Sequence, residues 1–84
     1  MEFTQKDELG LTRTYYLITQ LELDNEKYVI YTDLIKDKTR DFRLLVGTTN
    51  DGKVIRVDEM KEKIVLEYFK AIEKDYKEHI EEMV

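Results

Sequence analysis

The spacing of the hydrophobic residues changes at Asp58, and this change constrains the fold more than any other feature. Before it, apolar and polar residues alternate in TYYLITQLEL (14–23), YVIYTD (28–33), FRLLVGT (42–48) and KVIRV (53–57), which is typical of half-buried strands. After it, apolar residues recur every three or four positions, as in an amphipathic helix. We therefore predict an α+β fold, in which an antiparallel meander of about four strands packs on one long C-terminal helix.

The helix is predicted to begin after Asp58, whose side chain is a good N-cap. Its apolar stripe consists of Val65, Phe69, Ile72, Tyr76, Ile80 and Met83, widened by Ile64, Tyr68 and Ala71. A helix over 59–83 spans roughly 37 Å, whereas strands of six or seven residues span only about 20 Å. The last turns are therefore predicted to overhang the sheet.

Two turn signals and one hairpin register follow from the strand segments. DNEK (24–27) and Asn50-Asp51-Gly52 have turn compositions. The first turn predicts a register in which Leu23 lies opposite Tyr28, Leu21 opposite Ile30 and Leu17 opposite Leu34. One face of this hairpin is then apolar and the other is mixed.

Residues 1–12 are predicted to be a flexible polar leader, and 13–84 a single α+β domain. The leader carries Phe3, Leu9 and Leu11, which have two alternative roles. They lie loosely over the mixed sheet face, or they leave that face free for a second copy of the chain.

Gly47, Gly52 and Lys53 have the G-x-x-x-x-G-K spacing of a phosphate-binding loop. Such a loop needs Ser or Thr after the Lys, and a helix must follow it. Here Val54 follows the Lys, and the next residues have a strand pattern. The spacing is therefore interpreted as hairpin glycines and not as a nucleotide site.

The composition leaves little catalytic chemistry. Cys, Ser, Pro and Trp are absent and there is one His. Asp33, Asp37 and Asp41 alternate with basic residues, which favours a solvated loop over a cation site. His79 has Asp75 four residues earlier but no nucleophile or second histidine. We predict no catalytic, cofactor-binding or metal-ligating residue, and no enzyme.

Charge and hydropathy predict a cytoplasmic protein. The net charge is −5 with 39% charged residues. The N-terminal residues do not resemble a signal peptide, and no apolar run is long enough to cross a membrane.

The mixed sheet face and the helix overhang leave more apolar surface than one helix can cover, which favours a protein-interaction or regulatory role. The partner is an unknown protein or a second copy in a homodimer. The candidate interaction surface consists of Tyr16, Ile18, Val29, Tyr31, Leu45, Tyr76, Ile80 and Met83.

YVIYTD (28–33) and GKVIRVDEMKEK (52–63), followed by a closing amphipathic helix, resemble the family of short bacterial proteins designated DUF1292. Its members have unknown function and occur largely in Firmicutes. The resemblance covers about residues 15–77 and implies no activity, cofactor or binding residue.

The alternative hypothesis is an acidic decoy or a nucleic-acid-associated factor. Residues 58–84 contain most of the net negative charge, which suits a basic partner. Tyr16, Tyr31 and Arg43 are predicted to share the mixed sheet face, where aromatic and arginine side chains can stack on bases. Nucleic acid is nevertheless disfavoured by the acidic total, because phosphate contacts dominate that affinity.

Overall fold

The computed structural model describes all 84 residues, which form five strands followed by two helices. The elements are β1 (Glu2–Lys6), β2 (Thr12–Leu23), β3 (Glu26–Lys36), β4 (Phe42–Asn50), β5 (Lys53–Arg56), α1 (Glu59–Ile72) and α2 (Tyr76–Met83). Each strand pairs antiparallel with the next, in the order β1-β2-β3-β4-β5. The predicted α+β class and meander are confirmed, with one strand more than expected.

The extra strand comes from the predicted leader. Glu2–Lys6 pairs with Thr12–Tyr16 of β2, so the folded unit begins at residue 2 and not at residue 13. Asp7 closes the intervening turn, because its Oδ1 accepts the N–H groups of Leu9 and Leu11, each at 2.9 Å. Phe3 packs on the sheet, whereas Leu9 and Leu11 are exposed.

The register predicted for the β2–β3 hairpin is wrong. Asp24 and Asn25 both have positive φ, 53° and 64°, which is the conformation of a two-residue turn that matches the strand twist. Leu23 therefore lies opposite Glu26, and Leu21 lies opposite Tyr28. The predicted pairs, which suit either a two-residue or a four-residue loop, are centred between Asn25 and Glu26, one residue later than the observed turn at Asp24 and Asn25.

A bulge in β2 changes which face its side chains occupy. Leu17 lies opposite Tyr31, but Thr19 lies opposite Ile30, so the register shifts between them. An inserted residue reverses the alternation on one side of the bulge. Ile18 consequently packs with the core beneath the helices and Leu17 on the other face, the reverse of the prediction.

The main core lies between the sheet and α1. Tyr28, Ile30 and Val46 of the sheet cluster with Val65 and Phe69 of α1. Burying each of these side chains contributes about 1.5–3 kcal/mol. The predicted N-cap is confirmed, since Asp58 Oδ1 accepts the N–H of Lys61 at 2.8 Å.

A buried carboxylate joins α1 to the edge of β4. Glu62 Oε2 accepts the N–H of Val46 at 3.0 Å and Nε of Arg56 at 2.9 Å, and Oε1 accepts Nη2 of Arg56 at 2.8 Å. Since β5 ends at Arg56, the carboxylate takes the place of a strand carbonyl for Val46.

The sheet curls, and its curl encloses a second cluster on the face away from the helices. Val29, Tyr31 and Leu45 are buried there, packed by Phe3, Tyr15, Leu17 and Val54. The curl brings β1 to β5, where Gln5 Nε2 donates to the carbonyl of Val54 at 2.6 Å and Gln5 Oε1 accepts its N–H at 2.9 Å. The face that was predicted to need a partner is thus covered by the sheet itself.

The prediction of one long C-terminal helix is wrong. Glu73 ends α1 with φ −115° and ψ 75°, and α2 begins at Tyr76 in a new direction. The rings of Phe69 and Tyr76 then lie 5.7 Å apart, and Ile80 is 4% exposed. A straight helix would carry these two residues past the sheet, so the apolar contact they gain stabilises the break.

The two glycines of the phosphate-loop spacing serve the sheet. Asp51 and Gly52, with φ 50° and 77°, form the predicted turn between β4 and β5. Gly47 is not in a turn but inside β4, where a Cβ atom would lie 2.7 Å from Val54 Cγ1 and 3.2 Å from the Tyr31 ring. Its role is to let β5 and Tyr31 approach the backbone closely.

Candidate interaction surfaces

α1 carries a row of large apolar side chains that the sheet does not cover. Met60 is 76% exposed, Ile64 55%, Tyr68 39% and Ile72 60%. Residues four apart are neighbours on a helix surface, so these four form one continuous row along the whole of α1. We call this row the α1 stripe.

The α1 stripe exists because the helix is apolar on more than one side. Residues that face the sheet recur as Glu62, Val65 and Phe69, all buried. Each stripe residue lies one to three positions from one of these and is therefore rotated to the side of it. Ile64 and Tyr68 were predicted to widen the core stripe, but the sheet is too narrow to reach them.

One flank of the α1 stripe carries charged side chains with no ion-pair partner in the chain. These are Glu59, Lys63, Glu67 and Lys70, all exposed, and they alternate in sign along the helix. On the other flank Lys61 lies 3.7 Å from Glu26. Lys70 Nζ lies 5.6 Å from the centre of the Tyr76 ring, and with Glu59, Lys63 and Glu67 it gives this flank both signs of charge without an ion pair.

A second concave surface lies at the open side of the curled sheet. This cleft has a volume of about 550 Å³ and includes Tyr15, Tyr31, Leu45 and Val54 in its wall. Burial is the main cause that raises the pKa of the Tyr31 hydroxyl to about 12. At neutral pH this hydroxyl is therefore a hydrogen-bond donor and not a base.

Three arginines surround the cleft, and each already has a carboxylate partner. Arg13 Nε lies 2.5 Å from Asp7 Oδ2, and its hydrogen bond is the main cause that lowers the pKa of Asp7. Arg43 is bound by Asp33, and Arg56 by Glu62. The cleft therefore offers few unpaired positive charges to a phosphate or carboxylate.

The predicted interaction surface is not brought together. Val29, Tyr31 and Leu45 lie in the second cluster, all buried. Ile18 and Tyr76 pack against the main core, and Ile80 is the buried residue of α2. Tyr16 is half-buried opposite Thr32. Met83 is the one of the eight that stays exposed, at 46%.

The α1 stripe was missed because Ile64, Tyr68 and Ile72 were all assigned to the buried face. One signal was present: Met60, Ile64, Tyr68 and Ile72 recur at strict steps of four. A row with that step drifts around the helix and cannot stay on one buried face.

The other candidate groups are engaged locally. Asp37 Oδ1 accepts the N–H and hydroxyl of Thr39 at 2.8 and 2.6 Å, and this hydroxyl is the main cause that lowers the pKa of Asp37. His79 Nδ1 lies 3.0 Å from Glu73 Oε1, whereas the contact with Asp75 is a backbone hydrogen bond from the His79 N–H to the Asp75 carbonyl at 3.1 Å. No group of three or more acidic or histidine side chains is arranged to hold a metal ion.

The fold and surfaces define a small α+β protein with a curled five-stranded sheet and one exposed helix row. Neither helix combines the length and hydropathy of a membrane span. No protein-family model, curated protein or solved structure matches this chain. The resemblance to DUF1292 therefore stays a prediction.

Proposed function

We propose that the protein is a non-catalytic interaction module of the cytoplasm that docks on another protein through the α1 stripe. The observation that carries this proposal is the row Met60, Ile64, Tyr68 and Ile72, exposed along one helix. A contiguous apolar surface on a charged protein usually marks a contact site.

The stripe suits a helical or grooved partner. Anchors at steps of four on a helix are read by a groove or by the ridge of another helix. Burying a large apolar side chain contributes about 1.5–3 kcal/mol, so the four together supply enough to offset part of the entropy lost on association.

The curled sheet supports this assignment, because Lys6 is the one cation in the wall of the cleft without an ion-pair partner. Nucleic-acid binding would draw on Arg13, Arg43 and Arg56, but each holds a carboxylate. Its phosphate contacts would have to displace those carboxylates. The α1 stripe is thus the better-supported contact surface.

Site-directed photo-crosslinking tests the proposal. A photoreactive phenylalanine derivative replaces Tyr68 in one variant and Leu11, which is 57% exposed outside the stripe, in the control. Crosslinking in cells at position 68 and not at position 11, lost again on Ile64→Asp, is the expected result. Equal crosslinking at both positions, or none at 68, would overturn the proposed function.

A further inference from the structure

The charges beside the α1 stripe are complementary to themselves in one direction only. Their order along the helix is Glu59, Lys63, Glu67, Lys70, and none has an ion-pair partner within the chain. Read in reverse, the order becomes base, acid, base, acid. An antiparallel second helix with the same sequence, related by a twofold axis perpendicular to the helices, brings the same flank of both copies together and therefore sets every acid opposite a base. In a parallel pair this flank lies on the other side of the interface from its own copy, so the two sets of charges do not meet.

We propose that the partner on the α1 stripe is a second copy of this chain, with its α1 antiparallel. This inference rests on the proposed function and names its partner. Met60 then lies toward Ile72 of the second copy, and Ile64 toward Tyr68 of the second copy. The same register brings Lys63 toward Glu67 of the second copy, and twofold symmetry repeats each contact.

Helix geometry supports this pairing. The stripe follows the ridge formed by every fourth residue, and two such ridges interdigitate at a crossing angle of about −50°. Contacts in a crossing of this angle concentrate near its centre, which lies between Ile64 and Tyr68. Both side chains are exposed enough to interdigitate, at 55% and 39%.

Charge exchange in solution tests the arrangement. The variants Lys63→Glu and Glu67→Lys each place like charges opposite one another twice in the dimer. Each should raise the dimer dissociation constant roughly tenfold in sedimentation equilibrium at low salt. An equimolar mixture of the two, and the double variant K63E/E67K, restore opposite charges and should return the constant to near the wild-type value.

Matched controls separate this effect from folding and from net charge. Lys53→Glu makes the same charge change as Lys63→Glu, at an exposed position of β5. It should leave the dissociation constant of the dimer unchanged. Residues 63 and 67 are exposed, so circular dichroism, and melting at a concentration where wild type and variants are all monomeric, should stay as in the wild type. Ile64→Asp should give a folded monomer.

The outcomes distinguish the second copy from the general role. A wild-type monomer up to about 1 mM, or a dimer that ignores the charge exchange, overturns this inference. If the photo-crosslink at position 68 then yields a product of another mass, the docking role stands with a different partner. Without any crosslink, both fail.

Discussion

The side-chain amide of Gln5 makes with the backbone of Val54 the two hydrogen bonds that a neighbouring strand would make. It donates at 2.6 Å and accepts at 2.9 Å across 49 positions of the chain. Because the two edge strands do not otherwise pair, this amide holds the curl of the sheet and covers the Tyr31 cluster.

Replacing the donor of this amide should loosen the curl. Gln5→Glu keeps the acceptor for the Val54 N–H but sets a carboxylate oxygen against the Val54 carbonyl. We expect a loss of about 1–3 kcal/mol in the free energy of unfolding at pH 7, measured by urea titration. The deficit should narrow in acid, because the protonated carboxyl can donate again. A deficit independent of pH would contradict this account.

Removing the Glu62 carboxylate should destabilise the junction of α1 and β4. Glu62→Ala leaves the Val46 N–H buried without an acceptor and Arg56 without its partner, at a cost of about 2–3 kcal/mol. Arg56→Ala should lower the free energy of unfolding by less than Glu62→Ala does. The Arg56 side chain is half exposed, so part of its charge is already hydrated in the folded protein. If a denaturant titration gives equal losses of unfolding free energy for both variants, the hydrogen bond from the Val46 N–H to Glu62 contributes nothing to stability.

The helix break predicts an asymmetry within α2. Ile80→Ala should cost about 2–4 kcal/mol, because the side chain is 4% exposed and its removal leaves a cavity. Met83→Ala, at 46% exposed, should cost much less. If thermal unfolding shows the two alike, α2 does not fold back onto the core.

Two hairpins use the same aspartate-closed turn with different residues at the left-handed position. Gly10 has φ 78° after Asp7, and Arg40 has φ 65° after Asp37. Arg40→Gly should stabilise by about 0.5 kcal/mol and Gly10→Ala should destabilise by about 1 kcal/mol. Chemical denaturation of both variants checks these changes in the free energy of unfolding. A destabilised Arg40→Gly or a stabilised Gly10→Ala would refute the shared geometry.

Alkaline pH should destabilise the fold through two tyrosines. Donation to Glu26 is the main cause that raises the pKa of Tyr28 to about 12, and burial raises that of Tyr31 to about 12. Both stay neutral in the folded state while the unfolded chain ionises near 10. Their contribution is therefore complete below pH 10 and is lost as the pH rises toward 12.

Tyrosinate absorbance and urea titrations across that range measure this effect. Tyr31→Phe should remove one of the late-ionising groups and flatten the alkaline loss of stability. An unchanged titration curve would contradict the buried placement of Tyr31.

Local signals in the sequence were sufficient for the meander, the Asp58 cap and the turn at Asp51 and Gly52, because each depends on neighbouring residues alone. The break at Glu73 has no local marker such as Pro or Gly. It depends on the contacts that Tyr76 and Ile80 make with core residues, most of them distant in sequence. The spacing of apolar residues along the helix does not reveal these contacts.

The bulge at Ile18 and the strand β1 were missed for a related reason. Two inward residues, Phe3 and Gln5, make a pattern too short to recognise, and Gln5 is polar although it faces inward. The candidate interaction surface is not brought together for the same reason, since β1 and the curl cover Val29, Tyr31 and Leu45 from within the chain.

The pairing of each strand with its predecessor has a consequence for how the chain reaches this structure. Hairpins can form one after another with short loop closures, which favours rapid folding. The join between Gln5 and Val54 must come after the others, because it spans the whole sheet. We therefore expect a late phase in the folding kinetics whose rate changes when Gln5 is substituted but not when a hairpin turn is substituted.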